Sequence, residues 1–411
     1  MPSMSNPETL QLLQSGEALF PALISAFDAA QSWIQLETYI FDFHGAGAEV
    51  AQALQRAAER GVAVQILVDA LGTDPLPDQW QKKFAAAGVE WCVYSPLATG
   101  WALLVPERWR RLHRKLCVVD QKVVFCGGIN VLDDFYDPNH GKLQAPRFDF
   151  AVAVTGPLAM ESADAMALLW WRVQAGYSAR QRHMSDAWEK FRAAGYGGRT
   201  DTSALVPLEG TGAGTPYGRS RPRAALILRD NLRNRNSIER AYRKAIGKAR
   251  HDIIIANAYF LPGGKLRRAL IRAARRGVHV TLLLQGKYEY YMQYHAARPV
   301  YGALLAAGVE IHEYSASFLH AKVAVVDGHW ATVGSSNLDP FSLLLAREAN
   351  IVVEDRAFAA ELRGRLQAAV ASYGQLMDPA SYNQRPLAQR LQGWLAYALV
   401  RLALLVIGQR Y

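Results

Sequence analysis

Two stretches of this 411-residue chain carry the same residue types at the same spacing. The first reads Leu112-His113-Arg114-Lys115-Leu116-Cys117-Val118-Val119-Asp120 and is followed by Gly127-Gly128-Ile129-Asn130. The second reads Leu319-His320-Ala321-Lys322-Val323-Ala324-Val325-Val326-Asp327 and is followed by Gly334-Ser335-Ser336-Asn337. Counted from each histidine, lysine stands at +2, aspartate at +7 and asparagine at +17. These residue types suit transfer at a phosphate. Such chemistry needs cationic and hydrogen-bonding groups on the non-bridging oxygens, which Lys115, Lys322, Asn130 and Asn337 can supply. It also needs an attacking group and a leaving-group acid. One imidazole can attack phosphorus, while the other protonates the leaving alcohol and later deprotonates the acceptor. Imidazole titrates near neutrality and suits both tasks. The set calls for no metal and no other cofactor, and the remaining histidines show no metal-ligand spacing with Asp, Glu or Cys.

The apolar residues make both motifs strands, on which i and i+2 point the same way. His113 and Lys115 therefore share a face, as do His320 and Lys322. Each aspartate falls at the opposite parity, at the strand end, and Asp327-Gly328 is a hairpin-turn signal. Asp120 and Asp327 thus read as anchors of a turn rather than as partners of their own histidines. Gly128 and Ser335 occupy matching places on the returning strand that leads to Asn130 and Asn337. A histidine in such a role needs a carboxylate to orient its second nitrogen. Asp149 in Arg147-Phe148-Asp149 and Glu348 in Ala346-Arg347-Glu348-Ala349 each open an apolar strand, and these are the candidates. The alternative for each is a solvated charge at a strand end.

The elements around the motifs repeat as well. Each half opens with a helix-like stretch, Ala22 to Ser32 and Ser237 to Lys248. An apolar strand follows, Trp33 to Tyr39 and Asp252 to Tyr259. A helix then ends in Glu59-Arg-Gly-Val62 or Arg275-Arg-Gly-Val278, where glycine serves as the cap. A second strand, Ala63 to Asp69 and His279 to Gln285, leads to a helix closing on Ala87-Gly88-Val89 or Ala307-Gly308-Val309. Strands alternating with helices predict an α/β fold. The expected organisation is a first domain over 1–192 and a Gly-rich linker over 193–220. A second domain follows over 221–380, then an apolar-basic tail over 381–411. One motif per half predicts a site shared at the interface of the halves.

Bulk properties narrow the partners. The 46 Lys+Arg against 36 Asp+Glu give a formal charge of +10, which favours anionic partners without choosing among them. Cys92, Cys117 and Cys126 form no disulfide framework and no metal knuckle, and read as small buried hydrophobes in a reducing compartment. The N-terminus shows no basic region leading into an apolar one, so no signal peptide is expected. Leu395 to Ile407 is apolar apart from Arg401 and falls short of the roughly 20 residues that cross a bilayer. It reads either as a core helix or as an interfacial helix with Arg390, Arg401 and Arg410 at the headgroups.

The paired motifs and their Gly-Gly-x-Asn and Gly-Ser-x-Asn followers resemble the phospholipase D superfamily over nearly the whole chain. Gly127-Gly-Ile-Asn130 with Phe135-Tyr136-Asp137, Phe318-Leu-His-Ala-Lys322 and Gly334-Ser-Ser-Asn-Leu-Asp339 further resemble the bacterial cardiolipin synthases, especially their B-type branch. The resemblance implies two pseudo-two-fold related α/β sandwich domains, with mixed sheets flanked by helices and the site between them. It implies a catalytic set of His113, Lys115, Asp120, His320, Lys322 and Asp327, with His113 favoured as nucleophile. The near-symmetry of the motifs leaves that choice open from the residues alone. The implied reaction moves a phosphatidyl group from one phosphatidylglycerol to another, giving cardiolipin and glycerol through a phosphohistidine. The implied setting is the cytoplasmic face of the bacterial inner membrane, with a peripherally bound enzyme. The acceptor alcohol and the oligomeric state are not legible in the sequence.

The same superfamily includes nucleases and hydrolases, so three flanking segments bear on the substrate. Trp101 to Arg111 mixes large apolar groups with arginine, as an interfacial segment or a packed loop would. Tyr288, Tyr290, Tyr291 and Tyr294 could stack bases, line a lipid tunnel or pack. Arg219 to Arg250 carries eleven Lys/Arg against Asp230 and Glu239, as a solvated face or a phosphate-contacting one. The Trp-Arg segment and the apolar tail favour an anionic phospholipid at a membrane surface, with no nucleic acid expected. Phospholipid hydrolysis is the alternative. A metal-independent nuclease, or a silent lipid-binding module, fits less well.

Overall fold

The computed structural model describes residues 9–95, 110–137, 140–180, 206–207, 223–230, 234–287, 291–339 and 346–406. Trp101 to Trp109, Tyr288, Tyr290 and the Gly-rich stretch apart from 206–207 therefore lie outside the described residues.

The first half contributes β1 (Leu10–Gln14), β2 (Trp33–Thr38), β3 (Ala63–Asp69), β4 (Glu90–Tyr94), β5 (Arg111–Leu112), β6 (Lys115–Val119) and β7 (Val123–Gly127). A small hairpin, β8 (Tyr136–Asp137) and β9 (Gly141–Lys142), precedes β10 (Phe150–Thr155). The second half contributes β11 (Val206–Pro207), β12 (Arg223–Arg229), β13 (Asp252–Asn257), β14 (His279–Gln285) and β15 (Glu310–Tyr314). It continues with β16 (Lys322–Val326), β17 (Trp330–Gly334), β18 (Ala346–Glu354) and β19 (Gly374–Leu376).

One sheet runs β1-β10-β7-β6-β2-β3-β4 and the other β11-β12-β18-β17-β16-β13-β14-β15-β19. The order β10-β7-β6-β2-β3-β4 is repeated strand for strand by β18-β17-β16-β13-β14-β15. In both, the last three strands are parallel and the motif hairpin beside them is antiparallel. Parallel pairs need long crossovers, and the helices Gly45–Glu59, Asp78–Ala87, Gly264–Arg275 and Tyr291–Leu305 supply them. The helices that end on Gly61 and Gly277 do so at φ +90° and +88°, a conformation in which glycine carries no Cβ penalty.

The sheets face each other. Leu116, Val118, Val124 and Val152 of the first sheet share one apolar core with Val323, Val325, Val333 and Ile351 of the second. Helices Pro157–Arg180 and Arg356–Tyr373 close this core through Leu158, Met166, Phe358 and Leu362. The outer sheet faces are covered by separate helix layers, built around Leu54 and Phe84 on one side and Leu270 and Leu304 on the other. The result is two helix-flanked mixed sheets, as the α/β reading expected.

Three elements differ from the sequence reading by more than two residues at an end. The first helix runs Ser15–Ala29 with Pro21 inside it, not Ala22 to Ser32. The strand expected to open after Glu348 already begins at Ala346, because Ala346 and Arg347 pair with β5 of the other half. The C-terminal helix runs Leu387–Val406, longer than the apolar run, because Gly393, Ala396 and Val400 are buried in its packing.

Candidate active site

Each motif histidine sits where the chain passes from one sheet to the other. Strand β5 pairs in parallel with β18, matching Arg111 to Ala346 and Leu112 to Arg347. The His113 N–H then donates to the Arg347 carbonyl at 3.0 Å, and Lys115 opens β6 in the opposite sheet. The second half repeats this. Phe148 bridges Leu319 in parallel, the His320 N–H donates to the Phe148 carbonyl at 2.9 Å, and Lys322 opens β16. The residue before each histidine is held by a side chain at the end of a parallel strand. The Leu112 N–H donates to Asp69 Oδ2 at 2.7 Å, and the Leu319 N–H to Gln285 Oε1 at 3.3 Å.

This crossing decides which carboxylate meets which histidine. His113 Nδ1 lies 3.1 Å from Glu348, and His320 Nδ1 lies 2.6 Å from Asp149. Each imidazole is oriented by the other half of the chain, which leaves its Nε2 for chemistry. Glu348 is fully buried and Asp149 nearly so, whereas the imidazoles are 17% and 19% exposed. The carboxylates therefore support from beneath and the histidines face the opening.

The lysines fold back beside their histidines. Lys115 Nζ donates to the His113 carbonyl at 2.8 Å, and Lys322 Nζ donates to the His320 carbonyl and stands 4.0 Å from Asp149. The Tyr39 ring lies 5.0 Å from the His113 ring and 5.4 Å from Lys115 Nζ, walling one side. Gly128 and Ser335, at matching positions, treat the two carboxylates differently. The Ser335 hydroxyl donates to Glu348. A Cβ on Gly128 would stand 2.5 Å from Asp149 Oδ2, so that place must stay empty.

Burial and shared positive charge set the protonation states. Burial lowers the His113 pKa against the opposing pull of Glu348, with Lys115 and Lys322 adding to the fall. His320 is pushed well below the usual imidazole value by burial and then by Lys322 and Lys115. The same burial pulls the Lys115 ammonium down to about 7 and pushes Asp149 up to about 7. Two lysines thus act on both histidines, which defines one cluster rather than two. An anion entering here would meet cations held in a dry setting. Among the described residues no group of three or more His, Cys, Asp or Glu could hold a metal ion.

Not every motif residue joins the cluster. Asp120 accepts N–H bonds from Gln31, Ser32 and Trp33 at 3.0, 2.8 and 2.9 Å. Asp327 accepts the equivalent bonds from Arg250, His251 and Asp252 at 2.9, 2.8 and 3.1 Å. Both lie in the hairpin turn at φ +50°, at the far end of the motif strand. Asn130 turns its carbonyl oxygen to the Ile40 N–H at 3.2 Å, and Asn337 is buried next to Leu338. Beneath His113 lies a pair that the motif reading passed over: Arg114 Nε stands 2.8 Å from Glu37 Oε2, both buried. Its signal was a charge inside each of two apolar strand runs. Burial raises Glu37 to about 6 against the pull of Arg114 and Arg347.

A duplicated α/β sandwich whose two His–Lys pairs meet between the halves has the architecture of the phospholipase D superfamily. Residues 23–140 and 242–369 match the family described as "Cardiolipin synthase, PLD-like domain". Cardiolipin synthase B of Escherichia coli (strain K12) is 35% identical over 396 residues, covering 95% of this chain and 87% of that protein. A probable cardiolipin synthase of Bacillus subtilis (strain 168) is 26% identical over 390 residues, covering 94% and 71%. The crystal structure of phosphatidylserine synthase from Haemophilus influenzae Rd KW20 shares the fold, with TM-score 0.65 at 13% identity over 96% of this chain and 93% of that one. The chain belongs to the phospholipase D-like cardiolipin synthase family.

Proposed function

We propose that this protein is a phosphatidyltransferase that makes cardiolipin and glycerol from two molecules of phosphatidylglycerol. The observation that carries this reading is the crossed pairing of His113 with Glu348 and His320 with Asp149 around Lys115 and Lys322. His113 Nε2 attacks phosphorus, forming a P–N bond as the P–O bond to glycerol breaks, and His320 delivers a proton to the departing oxygen. The second phosphatidylglycerol then brings its free hydroxyl. His320 takes that proton, the new P–O bond forms and the P–N bond breaks. Lys115 and Lys322 counter the charge on the non-bridging oxygens, and Asn130 and Asn337 support from the returning strands, Asn130 through its bond to the Ile40 N–H. The choice of His113 as nucleophile follows the family resemblance. Asp120 and Asp327 serve the site by fixing the turns of the motif strands.

The two sheets support units over 1–192 and 221–380 with a tail at 381–411, while Val206–Pro207 of the joining stretch 193–220 pairs with β12 of the second sheet. The enzyme acts peripherally at the cytoplasmic face of a bacterial inner membrane on phosphatidylglycerol and cardiolipin, not on nucleic acid. Three buried free thiols, Cys92, Cys117 and Cys126, fit a reducing compartment. No described helix is long and apolar enough to cross a membrane.

The test is product analysis by mass spectrometry after purified protein meets phosphatidylglycerol vesicles. The expected product is cardiolipin, absent with His113→Ala, and excess glycerol should drive the reaction backwards. Phosphatidic acid as the sole product would make water the acceptor and sink the transferase reading.

A further inference from the structure

Among its described side chains, the helix Leu387–Val406 is packed along one edge. Gly393, Ala396 and Val400 are buried, while Leu387, Leu391, Trp394, Leu395 and Leu402 are each more than half exposed. Their spacing places these five on one helical stripe. A contiguous apolar stripe turned outward marks an interaction surface. The chemistry beside it identifies what it meets. From Pro379 to Tyr411 there are four arginines and no Asp or Glu.

Alongside the stripe, between this helix and Tyr291–Leu305, lies a cleft of about 170 Å³ lined by Arg298, Tyr382, Arg385, Gln389, Arg390 and Trp394 among others. Arg298 is already answered by Glu313 at 2.6 Å. The Arg385 guanidinium lies 3.5 Å from the centre of the Tyr382 ring, with its Nε–H on the Tyr382 carbonyl at 2.8 Å. That stacking fixes the plane of the fork and leaves terminal N–H donors for an anion. Among the described residues neither Arg385 nor Arg390 is paired with a carboxylate. Trp394 belongs to both the cleft and the stripe, so polar and apolar surfaces join at one residue. Arginine beside tryptophan at the edge of an apolar face is the pattern of the headgroup layer.

We infer that this cleft binds the phosphodiester headgroup of an anionic phospholipid while the leucine stripe lies among the acyl chains, seating the helix flat on the bilayer. This is a second lipid site, built from residues outside the catalytic cluster. It rests on the proposed function only for the choice of phosphatidylglycerol as the lipid. The partner helix Tyr291–Leu305 begins six residues after Gln285, whose side chain holds the Leu319 amide beside His320. The docked pair of helices therefore leads directly to the site.

The experiment is vesicle co-sedimentation of the full chain carrying His113→Ala, so that binding is read without turnover and its failure stays separate from failure of the transferase reading. Vesicles of phosphatidylglycerol are compared with vesicles of phosphatidylcholine. The protein should bind the former strongly and release in 1 M salt, while millimolar inorganic phosphate leaves binding intact. Arg385→Gln with Arg390→Gln should lower partitioning by about 25-fold, from the usual contribution per basic residue at an anionic surface. Leu391→Glu with Leu395→Glu should abolish it, and an unchanged melting profile shows the fold intact. Equal binding to both lipids overturns the proposal, as does parental binding by the arginine variant. Loss of self-association without loss of vesicle binding in the leucine variant makes the stripe a protein interface and also overturns it. If the leucine variant fails to fold, the arginine variant still decides.

Discussion

His320 Nδ1 lies 2.6 Å from Asp149 Oδ2 although 171 positions separate them, and His113 meets Glu348 at 3.1 Å across 235 positions. The pairs cross between the halves, so neither half alone holds an oriented histidine. Replacing Glu348 by Gln keeps its shape but removes the charge, and its amide can present the wrong partner to Nδ1. With the imidazole then favouring the wrong tautomer, kcat should fall by about 10²–10⁴-fold with little change in KM. Asp149→Asn should behave alike at His320. Steady-state kinetics on phosphatidylglycerol vesicles check this, and near-normal kcat in both variants would remove the carboxylates from the mechanism.

The residues of this arrangement were legible before the structure, but their pairing was not. Identity at three fixed spacings singles out His113, Lys115, His320 and Lys322, and the apolar strands expected over Phe150 to Val154 and Ala349 to Val353 offer Asp149 and Glu348 at their starts. Local periodicity reports what faces a sheet, not which distant strand lies beside it. The link is the parallel pairing of Arg111–Leu112 with Ala346–Arg347, too short to leave a pattern. Strand parity makes the histidines strand residues, yet they lie at the crossing between sheets. The fold was legible because the chain repeats it. Gln389, Arg390 and Gly393 interrupt the apolar run, so the sequence pattern stops short of the C-terminal helix that packing on Tyr291–Leu305 extends.

The assignment of His113 as nucleophile makes a covalent prediction. With a substrate bearing a good leaving group such as p-nitrophenol, attack no longer needs an acid, but the following step still needs a base. His320→Ala should therefore accumulate an acid-labile, base-stable phosphoenzyme, and His113→Ala should not. Intact-protein mass spectrometry reads the adduct. Accumulation in His113→Ala instead would exchange the two roles.

The lysines should be visible in the titration of His320. After burial, Lys322 is the largest cause of its depressed pKa, because a nearby cation disfavours a second positive charge. Removing that cation lets the imidazole hold its proton to higher pH. In Lys322→Met the His320 pKa should therefore move upward toward the ordinary imidazole value, as read by NMR of labelled histidine. A downward shift would break the electrostatic account. Bound phosphodiester should shift it the same way in the parent protein.

Gly128 offers a packing test of the Asp149–His320 pair. A methyl group there would fall 2.5 Å from Asp149 Oδ2 and must displace the carboxylate. Gly128→Ala should lower kcat by about tenfold or more, because a displaced Asp149 no longer holds His320 in place. Ser335→Gly removes the hydroxyl that donates to Glu348 and accepts from the Ala349 N–H, but it forces no atom into the carboxylate and should cost less. Kinetics of the two variants side by side check the order, and the reverse order would refute the packing argument.

The aspartates at the ends of the motifs should betray a structural role. Partial burial alone would raise the Asp120 pKa, but the N–H donors of Trp33, Gln31 and Ser32 and the Ser32 hydroxyl overcome it and hold the carboxyl at about 2. A folded value below the unfolded one stabilises the protein above about pH 4, and that contribution is lost as pH falls through the folded value near 2. Asp120→Ala leaves several donors without their acceptor and should lower stability by about 1–3 kcal/mol at neutral pH. The loss relative to the parent should shrink in acid, where the parent carboxylate is itself protonated. The folded fraction should keep most of its kcat at low temperature, since the cluster around His113 does not include Asp120. Thermal melts at several pH values, paired with activity per folded molecule, decide the matter. A variant that melts like the parent yet does not turn over would return Asp120 to the chemistry.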